Sequence, residues 1–416
     1  MIGKSRYVSL GFGRSLRVTA RYGHHVDLGR VSLTGVHAFL SENMFELAAA
    51  EAEQLQKSHP ELAAQIEVVR ASDPSSVSQK PTLASLRVPS AQGAIIQQKA
   101  ASLWPYKLVA SVLERLVSAF PAPRFNLQTN TSVTSLSRAE TSPGWTLTTP
   151  RGTITARQVL LATNGYTSHL LPAFSDLIVP VRGQIGALFP PGTTQASAAA
   201  TTSPTTGTQL THSYVFAADP SDSASLAPRD DYLVQRPLHS GGEMIYGGGR
   251  RLARGLGVGE WRDDETEPEV AAYLRGNLVP PLDLTSDPDR VVVHQEGEEM
   301  EASFEWTGVM GYSRDRHAWV GAVPESLGGG GVEGGLWICA GYTGHGMPSA
   351  ALSAREVVRQ MVSGGEVAVE GKGRLPREFV VSEDRVVEAR GLPHLTLTQG
   401  WEATNYITLT GGEKGL

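Results

Sequence analysis

The spacing of hydrophobic and polar positions divides the chain into amphipathic helices and short strands. Hydrophobic residues recur at three- and four-residue intervals, which is typical of helices, over residues 38–57, 104–120, 268–278 and 348–361. Trp104-Pro105 open the second of these segments and Pro121 follows it, as expected for a helix that begins at one proline and ends before another. We interpret its apolar stripe as a buried face.

Strand-like patterns occupy most of the remaining chain. The period changes to two between residues 125 and 162, where Thr-rich pieces alternate with turn residues. The Thr, Ala, Ser, Pro and Gly of residues 190–208 predict a flexible loop, and weak signals after Met361 predict a peripheral tail. The predicted strands are 66–69, 125–128, 132–136, 145–149, 153–156, 159–162, 178–188, 214–217, 232–236, 243–246, 291–293, 304–310 and 336–340.

Two stretches look like strand ends that open into loops. The apolar run 159–162 leads into Thr163-Asn164-Gly165-Tyr166, which is typical of a buried parallel strand whose carboxyl end meets a ligand. Residues 336–348, LWICAGYTGHGMP, combine an apolar run, a glycine turn and the start of a helix. Glycines let N–H groups approach a ligand, and a helix N-terminus favours an anionic group. The second pattern alone is also typical of an ordinary strand-to-helix connection.

A third glycine-rich stretch precedes two arginines. Gly247-Gly248-Gly249 is compatible with an anion-binding nest, but we interpret it as a bend at a sheet edge. Arg250-Arg251 then form a solvated basic pair.

Composition points to a small-molecule partner. The 416 residues are 40% hydrophobic and 19% charged, which predicts a soluble globular protein of one large or two interlocked domains. A net charge of −6 argues against nucleic acid and anionic membrane as partners. Neither a membrane span nor a secretory signal is indicated. Cys339 is the single cysteine, which excludes an intramolecular disulfide and a cysteine metal cluster, and we expect a cytoplasmic location.

Five segments together carry a family resemblance. They are AQGAIIQQKAASLWPYKLVASVLERL (91–116), LLATNGYTSHLLP (160–172), VPVRGQIGAL (179–188), IYGGGR (245–250) and WTGVMGYSRDRHAWVGAVPE (306–325). With the glycine turn after residue 340, their order resembles the FAD-dependent oxidoreductases of the D-amino-acid oxidase and sarcosine oxidase superfamily, and especially its fungal members. The resemblance extends over residues 39–361.

The resemblance implies an α/β fold, α+β overall. A Rossmann-like domain of the FAD/NAD(P)-binding type would be interleaved with a mostly antiparallel substrate domain. We expect FAD-binding parts at 91–175 and 306–362, a substrate domain at 176–305, an atypical N-terminal segment at 1–35, a helical and connecting segment at 36–90, and a tail at 363–416.

The resemblance also implies where the cofactor is bound. Val133 corresponds to the position whose backbone meets the adenine end of FAD. The loop near the pyrophosphate and ribose corresponds to Ala162, Thr163, Asn164 and Gly165. The turn along the isoalloxazine edge corresponds to Gly341, Tyr342, Thr343, Gly344, His345, Gly346 and Met347.

Three residues are candidates for the catalytic site. His345 lies between two glycines of the turn, where it either approaches the flavin or caps the turn. Arg314 and His317 either line the substrate pocket, where a guanidinium holds a carboxylate, or form an exposed turn with internal ion pairs. No His, Asp or Glu spacing indicates a metal site, and no G-x-S-x-G motif indicates a hydrolase.

Several positions depart from the family pattern. The dinucleotide fingerprint G-x-G-x-x-G is missing before Phe39, since Gly11-Phe12-Gly13 is followed by Leu16 where the third glycine belongs. This predicts a Rossmann-like domain that is incomplete at its N-terminus. Met310 stands where sarcosine oxidases attach FAD through a cysteine, so we expect non-covalent FAD. Pro348 replaces their carboxylate-binding lysine, which argues against a simple N-methyl amino acid as substrate.

Together these features predict an FAD-dependent oxidoreductase. It would oxidise a C–N bond of an amine or amino acid, pass the hydride to flavin, and then reduce oxygen or another electron acceptor. The alternative is a flavin-free or truncated remnant of the family that acts at most as a binding protein.

Overall fold

The computed structural model describes residues 30–71, 80–140, 143–190, 209–219, 229–279, 281–284, 299–365 and 375–393. The strand predicted at 291–293 and the loop predicted at 190–208, apart from its first residue, lie outside these ranges. The described strands are β1 (Val31–Phe39), β2 (Ile66–Arg70), β3 (Gly93–Ser102), β4 (Ser135–Arg138), β5 (Trp145–Thr149), β6 (Gly152–Ala156), β7 (Val159–Leu161), β8 (Ile178–Leu188), β9 (His212–Ala218), β10 (Arg229–Gln235), β11 (Met244–Gly247), β12 (Ala302–Ser313), β13 (Trp319–Ala322) and β14 (Leu336–Ala340).

Helices connect and cover these strands. Their bounds are α1 (Glu42–Ser58), α2 (Pro60–Ala63), α3 (Pro105–Ala119), α4 (Thr167–Leu170), α5 (Pro268–Gly276), α6 (Ala350–Ser363) and α7 (Glu383–Gly391). The predicted fold class, α/β and α+β overall, is confirmed by helices packed around a large mixed sheet.

Within the described residues, eight strands form the large sheet in the order β12-β8-β11-β10-β9-β1-β3-β2. All neighbours are antiparallel except β1 and β9, which pair in parallel. Side chains alternate between the two faces of the sheet. One face packs Val36, Phe216 and Tyr246 against Val270 and Leu274 of α5, all of them nearly or fully buried. The opposite face is free to border a ligand, except where α1 covers its β1, β2 and β3 end.

A smaller sheet, in the order β13-β14-β7, holds the two loop-bearing strand ends. Every residue of β14 is buried, and β14 pairs in parallel with β7 from Leu336 opposite Val159 onwards. The prediction of a buried parallel strand at 159–162 is thereby confirmed, with its end at Leu161. Since parallel strands end at the same edge, the loop after β7 and the turn after β14 lie side by side.

Three elements differ from the sequence predictions. Residues 38 and 39 complete β1, so the first helix begins at Glu42. Residues 125–128 form no strand. The apolar stripe of α3 is not core, because Val109 and Val117 are 56% and 47% exposed.

The segment after Met361 is not a peripheral tail where the structure describes it. Val386 and Ala389 of α7 are 2% and 1% exposed. Arg385 donates from Nε and Nη2 to the two carboxylate oxygens of Asp315, at 2.8 and 3.1 Å, and stacks 3.8 Å from the centre of the Trp319 ring. This bidentate pair anchors α7 to the turn between β12 and β13.

We predict that Arg385→Leu lowers the free energy of unfolding by about 3 to 5 kcal/mol, because it leaves the Asp315 carboxylate buried without its partner. Arg390→Leu is the matched control on the same helix. Arg390 is 41% exposed in its pair with Asp176, so its loss should cost less than about 1 kcal/mol. Urea unfolding followed by circular dichroism measures both, and equal losses would contradict the anchoring role.

The same pair makes a pH prediction. Burial opposes ionisation of Asp315, but hydrogen bonds and charge from Arg385 outweigh it and lower the pKa of Asp315 below 3.8. Stability from the pair should therefore be fully present above pH 3.8 and be lost as the pH falls through the lowered value. Arg385→Leu should lack this acid-dependent step in a series of unfolding curves.

Candidate functional site

A cavity of about 1220 Å³ borders the sheet face that α5 does not cover. Residues from β12 at one edge to β2 at the other contribute to its wall. His37, Val215 and Tyr232 form one cross-strand row of this wall, because His37 pairs with Val215 and Val215 pairs with Tyr232. The cavity is therefore built on neighbouring strands of one rigid sheet.

The turn after β14 borders the same cavity through Thr343, Gly344 and His345. Its backbone is left-handed at Gly341, Thr343 and Gly344, with φ angles of 77°, 52° and 74°. Glycine adopts this conformation without steric cost, whereas threonine does so only when its surroundings hold it.

Two residues, Asn164 and Thr343, hold the turn through four hydrogen bonds. Asn164, in the loop after β7, accepts hydrogen bonds at its Oδ1 from the amides of Gly341 and Tyr342, at 3.0 and 3.3 Å. Thr343 is 1% exposed; its amide donates to Gly311 at 2.7 Å, and its hydroxyl accepts from the amide of Ser313 at 3.1 Å. The turn is thus fixed to both β7 and β12.

Arg250 borders the same cavity beside the turn, because its partner Tyr312 has its hydroxyl 3.7 Å from where a Cβ atom at Gly344 would lie. Its Nη2 donates to the Tyr312 hydroxyl at 3.1 Å and lies 3.6 Å from a carboxylate oxygen of Asp230. Its Nη1 is buried and has no hydrogen-bond partner among the described residues. A buried donor without an acceptor is unfavourable, so this nitrogen is the point of the wall most suited to an anionic ligand.

The prediction of a solvated basic pair after a sheet-edge bend is wrong for Arg250, whose side chain is only 13% exposed. β11 is an interior strand, between β8 and β10, so the chain leaving it turns over the sheet face. Gly248 and Gly249 make this turn with φ angles of 152° and 64°. A Cβ atom at Gly248 would overlap the Asp231 carboxylate.

Asp231 fixes this bend from behind the sheet. It is fully buried and accepts from the Gly249 amide at 3.1 Å, the Tyr246 hydroxyl at 2.7 Å and the Tyr273 hydroxyl at 2.6 Å. Burial raises the pKa of Asp231 despite these donors and the nearby charge of Arg229. Asp231 therefore fixes the backbone position from which the Arg250 side chain extends.

A second arginine of the wall is already neutralised. Arg182 is 6% exposed and donates to the Glu267 carboxylate at 2.5 Å and to the Arg262 carbonyl at 3.1 Å. Its charge is balanced inside the protein, which leaves Arg250 as the better anion ligand.

The structure brings one of the three predicted catalytic residues to the cavity. His345 lines it, but Arg314 and His317 do not. Arg314 donates to the Leu392 carbonyl at 2.6 Å and pairs with Asp176 at 3.4 Å. His317 is hydrogen-bonded through Nδ1 to the Asp315 carbonyl at 2.6 Å. Both side chains support the turn between β12 and β13.

The predicted cofactor-binding positions fall into two groups. Those after β7 and β14 lie together through the Asn164 contacts, whereas Val133 precedes β4 in the separate sheet β4-β5-β6. Gly165 packs so closely on β12 that a Cβ atom would lie 2.7 Å from Val309. Ala162, Gly346 and Met347 are partly or fully exposed around these loops.

Sequence reasoning did not single out His37 or Arg250 as site residues. His37 has no local motif, and its place in the wall follows from pairing with β9, far along the chain. For Arg250, the three preceding glycines were a sequence signal for a site residue.

Other classes of site receive no support from the described ranges. No group of three or more His, Cys, Asp or Glu side chains there is arranged to hold a metal ion. In the same ranges, no helix combines the length and hydrophobicity needed to cross a membrane.

A family model described as FAD dependent oxidoreductase (DAO) matches residues 12–360. Solved structures share the fold at low sequence identity. Glycine oxidase from Geobacillus kaustophilus is 17% identical with a TM-score of 0.57, and the match covers 89% of this chain and 81% of that one.

Two further structures give similar values. Iminodiacetate oxidase from Chelativorans sp. BNC1 is 15% identical with a TM-score of 0.57, covering 88% and 81% of the two chains. L-alpha-glycerophosphate oxidase from Mycoplasma pneumoniae, solved with FAD bound, is 13% identical with a TM-score of 0.53, covering 91% and 83%. No curated protein sequence matches the chain.

We predict that Asn164→Ala lowers the free energy of unfolding by about 1 to 3 kcal/mol, because the Gly341 and Tyr342 amides lose their acceptor. Asn164→Asp keeps an acceptor oxygen, and Asp also tolerates the left-handed backbone, whose φ is 44° at this position. It should therefore retain most of the stability. Denaturant unfolding of both variants checks this, and equal losses would contradict the bridging role of the side-chain oxygen.

Proposed function

Because the chain belongs to the family of FAD-dependent oxidoreductases, we propose that it oxidises the C–N bond of an amino acid whose carboxylate Arg250 holds. The observation that carries this proposal is the buried, unpartnered Nη1 of Arg250 in the wall of the cavity that the glycine turn also borders. An amino-acid carboxylate supplies the missing acceptor and accepts two parallel hydrogen bonds from a guanidinium. A simple amine leaves the nitrogen unpaired.

The residues around the turn fit the ring end of FAD. Gly344 has no side chain to occupy the cavity, and a Cβ atom at Gly308, on the facing strand β12, would meet nothing within 4 Å. Flat, open backbone of this kind suits an aromatic ring system, and α6 begins directly after the turn, with its positive dipole end towards it. When bound, FAD supplies the hydride acceptor for the oxidation.

We expect FAD to be held without a covalent bond to cysteine. Met310, which lines the cavity, stands where covalent members of the family carry that residue. Cys339 is 8% exposed, and its sulfur is 3.0 Å from the Tyr342 hydroxyl. Burial raises the pKa of the Cys339 thiol, which disfavours the reactive thiolate.

The part of the chain expected to hold the pyrophosphate of FAD favours a second candidate function. In the described part of the chain, no G-x-G-x-x-G turn joins a strand to a helix, so the usual pyrophosphate site is not evident there. A binding protein that keeps the substrate cavity but lacks catalysis fits this observation.

The contribution of the protein to the reaction is chiefly positioning. Arg250 fixes the carboxylate end of the substrate, and Tyr312 and Asp230 fix Arg250. The turn is tied to β7 and β12, so the distance between the turn and Arg250 is set by packed strands. Such fixed geometry lowers the entropy cost of bringing reacting groups together.

The experiment that tests this function mixes FAD-loaded protein with amino acids in the absence of oxygen. Loss of the oxidised-flavin absorbance, with formation of ammonia, is the expected result. Readmission of oxygen with release of hydrogen peroxide would identify an oxidase, whereas reoxidation only by an added dye would identify a dehydrogenase. Protein that binds FAD and is not reduced by any amino acid or amine would contradict the proposed function.

We predict that Arg250→Met raises the KM for the best amino acid about 10- to 100-fold, since a hydrogen bond to a charged group contributes about 1.5 to 3 kcal/mol. The matched amine that lacks the carboxylate should show an unchanged KM. The neighbouring Arg251, which is exposed, provides the control variant Arg251→Met. Equal KM changes for the amino acid and the amine would contradict carboxylate binding by Arg250.

A further inference from the structure

We propose that His37 is the proton acceptor that converts the bound substrate from an ammonium ion to a neutral amine. This inference rests on the proposed function and adds to it the group that prepares the substrate. A C–N bond is oxidised from the neutral amine, because its nitrogen lone pair supports the developing positive charge. An amino acid, however, is mainly an ammonium ion at neutral pH.

His37 is positioned to meet a ligand. It lies near the end of β1, inside the large sheet, where it is half-buried and lines the cavity. Across the described ranges, no side chain or backbone group forms a hydrogen bond with this ring. A ring nitrogen is therefore open to accept a proton from a bound amine.

His37 and Arg250 line the same cavity and are carried or contacted by nearby strands of the sheet. The row that contains His37 reaches Tyr232 on β10, two strands away, which corresponds to about 10 Å between strand backbones. Arg250 reaches the same region through its ion pair with Asp230, also on β10.

A second imidazole borders the same cavity. Burial, and then the nearby charge of His345, lower the pKa of His37 below its ordinary value of 6.5. Two imidazoles within electrostatic reach disfavour double protonation, so one of them stays neutral. A neutral imidazole at physiological pH is what a proton acceptor requires.

The other charged groups near β1 lie on its packing partners. On β9, His212 is hydrogen-bonded to Thr34. On α1, Glu46 pairs with Arg70 of β2. Glu42 of the same helix and Lys99 of β3 are exposed. Among the described groups, His345 is the one whose charge acts on the His37 ring.

The proton step is balanced as a simple transfer. The ammonium nitrogen loses one proton to a ring nitrogen of His37, which becomes an imidazolium ion. No bond to carbon changes and no electron moves in this step. The proton later leaves to solvent.

The first test needs no cofactor. In protein carrying ¹³C-labelled histidine, His37→Asn identifies the His37 signal among the 11 histidines. This signal should titrate below pH 6.5, and His345→Asn should move its midpoint upward. His169→Asn, an exposed histidine that does not line the cavity, is the matched control and should leave the midpoint unchanged. The proposal would be overturned if the His37 signal titrates with a midpoint at or above pH 6.5 and that midpoint is unchanged in His345→Asn.

The second test uses FAD-loaded enzyme. At neutral pH, His37→Asn should lower kcat/KM for the amino acid about 100- to 10,000-fold, the usual contribution of a general base. The ratio of wild-type to variant kcat/KM should fall about tenfold per unit of rising pH, as the substrate amine deprotonates in solution. His37→Gln should behave alike.

The outcomes separate two kinds of failure. If the FAD-loaded wild-type protein is not reduced by any amine, the proposed function is overturned, and the role of His37 with it. If the wild type is active but the ratio of its kcat/KM to that of His37→Asn is the same at every pH, the role of His37 alone is overturned.

Discussion

The hydrogen bonds from the Gly341 and Tyr342 amides to the Asn164 side chain are the constraint on which the site depends. Two parallel strands of the small sheet end side by side, and each needs a loop that leaves room for a ligand. One side-chain oxygen satisfies two backbone donors and joins these loops. The buried Thr343 then ties the turn to β12 of the large sheet. The cavity lies between sheets that are held together at this point.

A second buried polar group, Asp231, plays the corresponding part for Arg250. Asp231 accepts from the Gly249 amide and from two tyrosines, so the bend that delivers Arg250 has a single arrangement. Arg250 consequently faces the cavity with one nitrogen unpaired. The rigid sheet that borders the turn and Arg250 carries His37 in its interior, which gives the substrate three fixed points: a turn, a cation and an imidazole.

The sequence predicted best the elements whose burial follows from their own composition. The apolar run of β7 indicated a buried parallel strand, the run of β14 indicated a strand that opens into a glycine turn, and the helix predicted at 348–361 is α6 with each end shifted by two residues. The predictions from sequence were less accurate where pairing between distant parts of the chain determines the structure. Ala38 and Phe39 are as apolar in a strand as in a helix, so the start of α1 was misplaced. The stripe of α3 showed an apolar face but not whether anything covers it. His37 enters the site through its register with β9, for which the sequence carries no local signal.

The most direct test of the proposed flavin site is a titration of the purified protein with FAD, followed by visible absorption and flavin fluorescence. We expect saturable binding by wild type. We expect strong weakening in Gly344→Val, since a β-branched residue is strained at the left-handed φ of 74° and carries a side chain into the cavity. Gly364→Val, at a similar φ of 71° beyond α6, is the control that should bind as wild type does. Protein that stays colourless with excess FAD, or equal binding by Gly344→Val, would contradict a flavin site at this turn.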